Sequence, residues 1–161
     1  DKDPIRFMML NRSNDVELDF DFEKVKEKTK ENPVFYVQYA FARINSLLRT
    51  LKINFNSKIK LNEENFQLYE NEEKIIRKIF EWPKIVDSAS KKYEIHKIPF
   101  YLYELSTLFH SYWSKGNEDK KYKFIENNKI KRIEALAIIN LTFIVIQIGM
   151  KILGVSLPKK M

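Results

Sequence analysis

Sixteen consecutive residues, Ala135 to Met150 (ALAIINLTFIVIQIGM), carry no formal charge, and any fold of this chain must put them where water is scarce. The run falls short of the roughly 20 residues needed to cross a bilayer, and Asn140, Thr142 and Gln147 interrupt it. It therefore reads as a helix buried in the core of a soluble protein, with no membrane partner. A helix that is apolar nearly all round needs several others about it, and the line of Asn140, Gln147 and Lys151 would be its one exposed strip.

The rest of the chain supplies those partners. Only three glycines occur in 161 residues, which starves tight turns and favours helices. Asp3-Pro4 reads as a capping carboxylate followed by proline at the first helical position, opening a helix to about Asn11. Val16 to Phe22 (VELDFDF) alternates apolar and acidic residues and suits a short extended segment, before a charged helix, FEKVKEKTKE. Asn32-Pro33 repeats the cap-and-proline device and begins a helix to Leu51. An Asn- and Lys-rich loop follows. A helix over Asn71 to Tyr93 should bend or restart at Pro83, and another runs from His96 to Lys115 with Gly116 as its cap. NEDKKYKFIENN reads as a polar loop, and a helix from Lys129 to Leu153 ends at Gly154. The expected architecture is all-α: a single helical bundle of about five to seven helices spanning 1–161 as one domain.

Placing residues at 100° intervals around each axis leaves some aromatics without a core position. On the helix after Pro33, one broad face carries Val34, Tyr36, Val37, Ala40, Phe41, Ile44, Leu47, Leu48 and Leu51, with Tyr36 near its edge. The opposite side holds Gln38, Arg43, Asn45, Ser46 and Arg49, and Phe35 and Tyr39 fall among them. Tyr39 and Arg43 are four apart and so are neighbours. Packing against another helix would explain the pair; a flat ring beside a guanidinium also suits an unstacked base next to a phosphate. On the helix after His96, Tyr101, Leu102, Leu105, Leu108 and Tyr112 form the apolar face. Phe109 and Trp113 lie on its border beside Ser106 and His110, where they can seal the core or meet a ligand.

Catalysis finds no support. His96 and His110 are the only histidines, cysteine is absent, and neither histidine has metal-ligand spacing to a partner. A single histidine on a helix is commonly a hydrogen-bonded structural residue. Asp19, Asp21 and Glu23 have many lysines to pair with, and Gly116, Gly149 and Gly154 form no phosphate cradle. Neither a catalytic residue nor a metal site is expected. The net charge of +7 is a modest excess, compatible with an anionic partner or with simple solubility.

Several ordered blocks resemble the C-terminal part of arginyl-tRNA synthetases, which are class I aminoacyl-tRNA synthetases. Asp3-Pro4-Ile5-Arg6 is similar to the Asp-Ala-Leu-Arg signature of that family's all-helical anticodon-binding domain. RFMMLNRSNDVELDFDF, NPVFYVQYAFARI, FYLYELSTLFHSYW and GMKILGVSLPKKM match in type and order. The resemblance covers essentially the whole chain, more loosely in the Asn/Lys-rich loops. Phe41 stands where the family commonly has histidine, and Pro4-Ile5 replaces Ala-Leu. The His-Ile-Gly-His and Lys-Met-Ser-Lys-type motifs that bind ATP are missing, so the chain resembles a fragment beginning just after the second of them.

The resemblance implies a cytoplasmic arginine–tRNA ligase as parent, using ATP with magnesium. The fragment would be inactive and cofactor-free by itself, and would act as a monomer beside the catalytic domain of the same polypeptide. It implies the anticodon stem-loop of an arginine tRNA as partner, held by Tyr36, Tyr39 and Arg43, by Phe109 and Trp113, and by the terminal Met161. The related domain of another class I synthetase, such as the cysteinyl enzyme, and a helical protein-interaction module remain alternatives.

Overall fold

The computed structural model describes residues 2–13, 27, 29, 31–53, 59, 61, 66–159 and 161. The expected extended stretch at Val16 to Phe22, most of the charged helix after it and half of the Asn/Lys-rich loop lie outside the described residues. Within them are five α-helices: α1 (Lys2–Leu10), α2 (Pro33–Thr50), α3 (Glu70–Lys92), α4 (Lys97–Glu118) and α5 (Ile133–Leu153). A 3-10 turn (Lys120–Tyr122) and two short antiparallel strands, β1 (Ile125–Glu126) and β2 (Lys129–Ile130), connect α4 to α5. The all-α bundle and its helix number agree with the sequence reading.

The apolar run forms α5, which packs against each of the other four helices. Its length and composition would suit a membrane span, but Leu136, Ile138, Ile139, Phe143, Ile146 and Met150 are buried inside the bundle. Gly149 permits close packing: a Cβ there would lie 2.7 Å from the Leu102 side chain of α4, so any larger residue must displace that side chain. The exposed strip of α5 is wider than expected. Gln147 and Lys151 lie on it, but so do Leu141, Ile148 and Ile152.

Several ends differ from the sequence reading. α3 runs through Pro83 without interruption; proline there removes one backbone donor at an exposed position, and neighbouring turns keep the helix intact. α4 continues two residues past Gly116, which is buried rather than capping. A Cβ at Gly116 would lie 3.1 Å from the Tyr122 carbonyl, so the missing side chain makes room for the 3-10 turn. α5 begins at Ile133 rather than Lys129, because the stretch before it pairs as a hairpin. Asn127 and Asn128 both have positive φ (50° and 57°), the backbone of a two-residue hairpin turn. Asp3 is no cap: α1 starts at Lys2, and the buried Asp3 carboxylate accepts hydrogen bonds from the backbone N–H and hydroxyl of Ser156. Gly154 is the left-handed C-cap that the sequence indicated, at φ 66°.

α3 is joined to the start of α5 by a buried carboxylate. Glu72, fully buried, accepts from Arg132 Nη1 and from the Tyr112 hydroxyl, both at 2.6 Å, and from the Tyr69 backbone N–H at 2.8 Å. The last bond is the return half of a capping box at the N-terminus of α3. Burial and the adjoining carboxylate push the Tyr112 phenol well above its ordinary pKa.

Candidate nucleic-acid interface

α2 presents Tyr39 and Arg43 one helical turn apart on the side away from its buried residues Val37, Ala40, Phe41 and Ile44. The guanidinium lies over the Tyr39 ring at 4.5 Å, and Nη2 donates to the Tyr39 hydroxyl at 2.6 Å. It also lies 5.0 Å from the Trp113 ring, so one arginine ties α2 to α4 through two aromatic faces. Phe35 stacks on Tyr39 from one turn earlier, at 6.2 Å with ring planes 8° apart. Among the described residues, no carboxylate pairs with Arg43, and its charge stays uncompensated.

His110 sets the back of this arrangement. Its ring lies between Tyr36 (4.3 Å) and Tyr39 (5.3 Å), and Nε2 is 3.2 Å from the Tyr36 carbonyl oxygen, so it is Nε2 that carries the proton. Nδ1 is then an acceptor facing Arg43 Nη1 at 3.5 Å. Burial, with Arg43 adding to it, pushes the His110 pKa down to about 4, and the neutral ring can accept a hydrogen bond from that guanidinium without repulsion.

Trp113, half-buried, rests on Phe109 (5.7 Å) and meets Phe124 edge-on (5.3 Å). Phe124 is buried and stacks on Tyr112 at 5.2 Å, and its carbonyl accepts from the Lys131 N–H at 2.9 Å. The hairpin is therefore fixed beside the indole. The chain terminus approaches from the other side. Gln38 donates to the Ser156 carbonyl (3.0 Å), and Asn45 (2.9 Å) and Arg49 (3.4 Å) donate to that of Lys159. These bonds strap the tail along α2 and bring Met161, 53% exposed, to the same place.

The result is a groove of about 600 Å³ whose walls include Tyr39, Arg43, Arg49, Trp113, Asn128 and Met161. Four of the six residues expected from the sequence thus come together: Tyr39, Arg43, Trp113 and Met161. Phe109 does not. It is completely buried, because α4 is covered by α2, α3 and α5 at once and its apparent border is interior. Phe109 supports Trp113 from beneath and offers no surface. Tyr36 is half-buried against His110 and Tyr103 (5.5 Å) and does not line the groove. Burial raises its phenol pKa. Asn45, placed on the polar side by periodicity, is buried and holds the tail.

Ile125 and Asn128 also line the groove and were hidden by reading their segment as a loop. The Asn-Asn pair between Ile125-Glu126 and Lys129-Ile130 was the available signal for a hairpin. Arg49 was visible on the polar side of α2, and only the tail shows what it faces. Chemically, the groove offers flat aromatic and thioether surfaces, two guanidinium groups and one side-chain amide. Stacking of unpaired bases and pairing with phosphates or base edges follow from that set.

Residues 37–161 match the family model described as the DALR anticodon binding domain. The chain is 49% identical to the arginine–tRNA ligase of Pelagibacter ubique over 160 residues, covering 99% of this chain and 28% of that protein. It is 43% identical to the arginine–tRNA ligase of Rickettsia prowazekii over 161 residues, covering 96% of this chain and 28% of that protein. It therefore spans little more than a quarter of the length of these relatives. Its fold resembles that part of the solved Thermus thermophilus arginyl-tRNA synthetase with a TM-score of 0.74 at 21% identity, over 99% of this chain and 26% of that one.

Proposed function

The chain belongs to the DALR anticodon binding domain family, and from that premise we propose that its groove holds the anticodon stem-loop of an arginine tRNA. Residues 1–161 then act as the RNA-binding unit of a cytoplasmic arginine–tRNA ligase. Aminoacylation with ATP falls to the remainder of that polypeptide. Among the described residues no three His, Cys, Asp or Glu side chains converge, and the three glycines shape helix packing and ends. No chemical step is assigned to this chain.

One observation carries the reading. Tyr39, Arg43, Trp113 and Met161 come from three separate segments and converge on one groove whose central guanidinium has no carboxylate partner among the described residues. Loop bases splayed from their own stack would lie on the tyrosine, indole and thioether surfaces. Arg43 and Arg49 would take phosphate or base-edge oxygens. Binding so far from the acceptor end contributes by fixing the RNA relative to the catalytic site, which lowers the entropy cost of reaction there.

The test is a titration with labelled arginine anticodon stem-loop at two salt concentrations, with a cysteine anticodon stem-loop as competitor. The reading expects affinity that falls steeply as salt rises and a preference for the arginine sequence. A contact made for an apolar protein surface would give neither.

A further inference from the structure

A second, larger cleft lies on the other side of the C-terminal strap. It is about 930 Å³ in volume and is bounded by the start of α1, by α2, by the C-terminal end of α5 and by the tail itself. Its rim carries Lys2, Arg49, Lys151 and Lys159. Its floor is closed by Phe41 and Phe143, stacked at 4.4 Å and almost fully buried, so it offers no aromatic platform. Among the described residues, the one carboxylate lining it is Asp3, buried and bonded to Ser156.

These four cations differ from four lysines on α3 and at the start of α4. There, Lys74, Lys78, Lys91 and Lys97 are each paired with a nearby Glu or Asp. Among the described residues, none of the four around the cleft has a carboxylate partner, and Arg49 donates only to the Lys159 carbonyl. Arg49 also lines the base-binding groove, so the two depressions meet at one guanidinium, with the strap between them.

We propose that this cleft is a second RNA site, taking the phosphodiester backbone of the stem that leads into the loop held by the groove. The inference rests on the groove reading. A loop whose bases enter the groove must carry its flanking backbone out past one end, and the Arg49 end opens onto uncompensated positive charge. The cleft contributes attraction without reading sequence, because cations at a phosphate chain release counterions whatever the bases are. The strap then has two roles: it presents Met161 to the bases and divides base recognition from backbone attraction.

The experiment compares two labelled RNAs, the arginine anticodon stem-loop and a short single-stranded oligonucleotide of its loop nucleotides, on wild type and two double variants. Lys2→Gln with Lys151→Gln removes two exposed charges from the cleft. Lys84→Gln with Lys92→Gln removes as many from exposed positions on α3 and leaves the cleft whole. The proposal expects the cleft variant to bind the stem-loop about three- to tenfold more weakly, with its salt slope flatter by about 1 to 2, and the loop oligonucleotide unchanged. The α3 variant should bind both RNAs within about twofold of wild type, on the same electrostatic reasoning. Equal effects of the two variants on the stem-loop, or equal weakening of both RNAs by the cleft variant, would overturn it. Failure of wild type to bind either RNA would instead remove the groove reading beneath it.

Discussion

Arg132 and Arg43 each lie over a tyrosine ring, at 3.9 Å and 4.5 Å, yet they stand in opposite electrostatic situations. Arg132 gives one arm to the buried Glu72 and another to the Gln67 carbonyl, and Tyr69 covers its face. Arg43 has two aromatic faces, a phenol oxygen and a neutral imidazole, and no carboxylate among the described residues. The first arrangement is closed and joins two helices. The second keeps its full charge at the wall of a groove. A guanidinium stacked on tyrosine says little about purpose until the carboxylate is accounted for.

The sharpest way to separate the two regions is to remove the closed one's anion. Glu72→Ala strands Arg132 and the Tyr112 hydroxyl in a buried site, and should cost about 3–5 kcal/mol of stability in urea denaturation. Arg43→Ala should cost only about 1–2 kcal/mol of stability, while weakening stem-loop binding by about 1.5–3 kcal/mol in an anisotropy titration, the range for a charged hydrogen bond. Trp113→Ala and Tyr39→Ala should follow Arg43, at about 1–3 kcal/mol of binding each. A stability loss at Arg43 matching that at Glu72 would erase the distinction.

A pH series sharpens the contrast further. His110 is held near pKa 4 in the folded chain against an ordinary 6.5, so between those values the unfolded chain binds a proton that the folded one refuses. Its share of stability is complete above pH 6.5 and is lost as pH falls, by about 2 kcal/mol between pH 7 and pH 5. His110→Asn should flatten that part of the urea-measured pH profile; an unchanged slope would mean that the ring titrates normally.

The smallest effect concerns the hairpin. Asn128→Gly keeps the positive-φ turn and removes only the amide at the groove, and should cost about 1 kcal/mol of RNA binding, the worth of one hydrogen bond. Asn127→Gly relieves the same backbone at a residue that does not line the groove and should cost nothing. Equal losses in the same titration would assign the effect to the turn.

The groove was partly legible before any coordinates. Tyr39 and Arg43 stood out because a helix cannot turn every aromatic toward one core, and the spacing of four made them neighbours. Trp113 stood at the border of an apolar helix face, and Met161 entered with the family resemblance. Phe109 misled for a geometric reason: periodicity gives an angle around α4, but not how many helices surround it. Asn45 misled in the same way, since its polar side of α2 is roofed by the tail. The Glu72 network was invisible, because one Glu among several in a charged helix looks like any surface acid until Arg132 and Tyr112 are brought to it.

By itself the sequence determined the local events: which segments become helices, that α5 occupies the centre, and that Gly154 ends it. These depend on propensity, capping and one-dimensional periodicity, which act within a few residues. Only the tertiary structure decided which aromatics remain reachable, which arginine keeps its charge, and that residue 161 comes to lie beside residue 39. Those outcomes depend on contacts between segments far apart in the chain. There, burial and charge compensation are properties of the assembled surface and not of any one stretch.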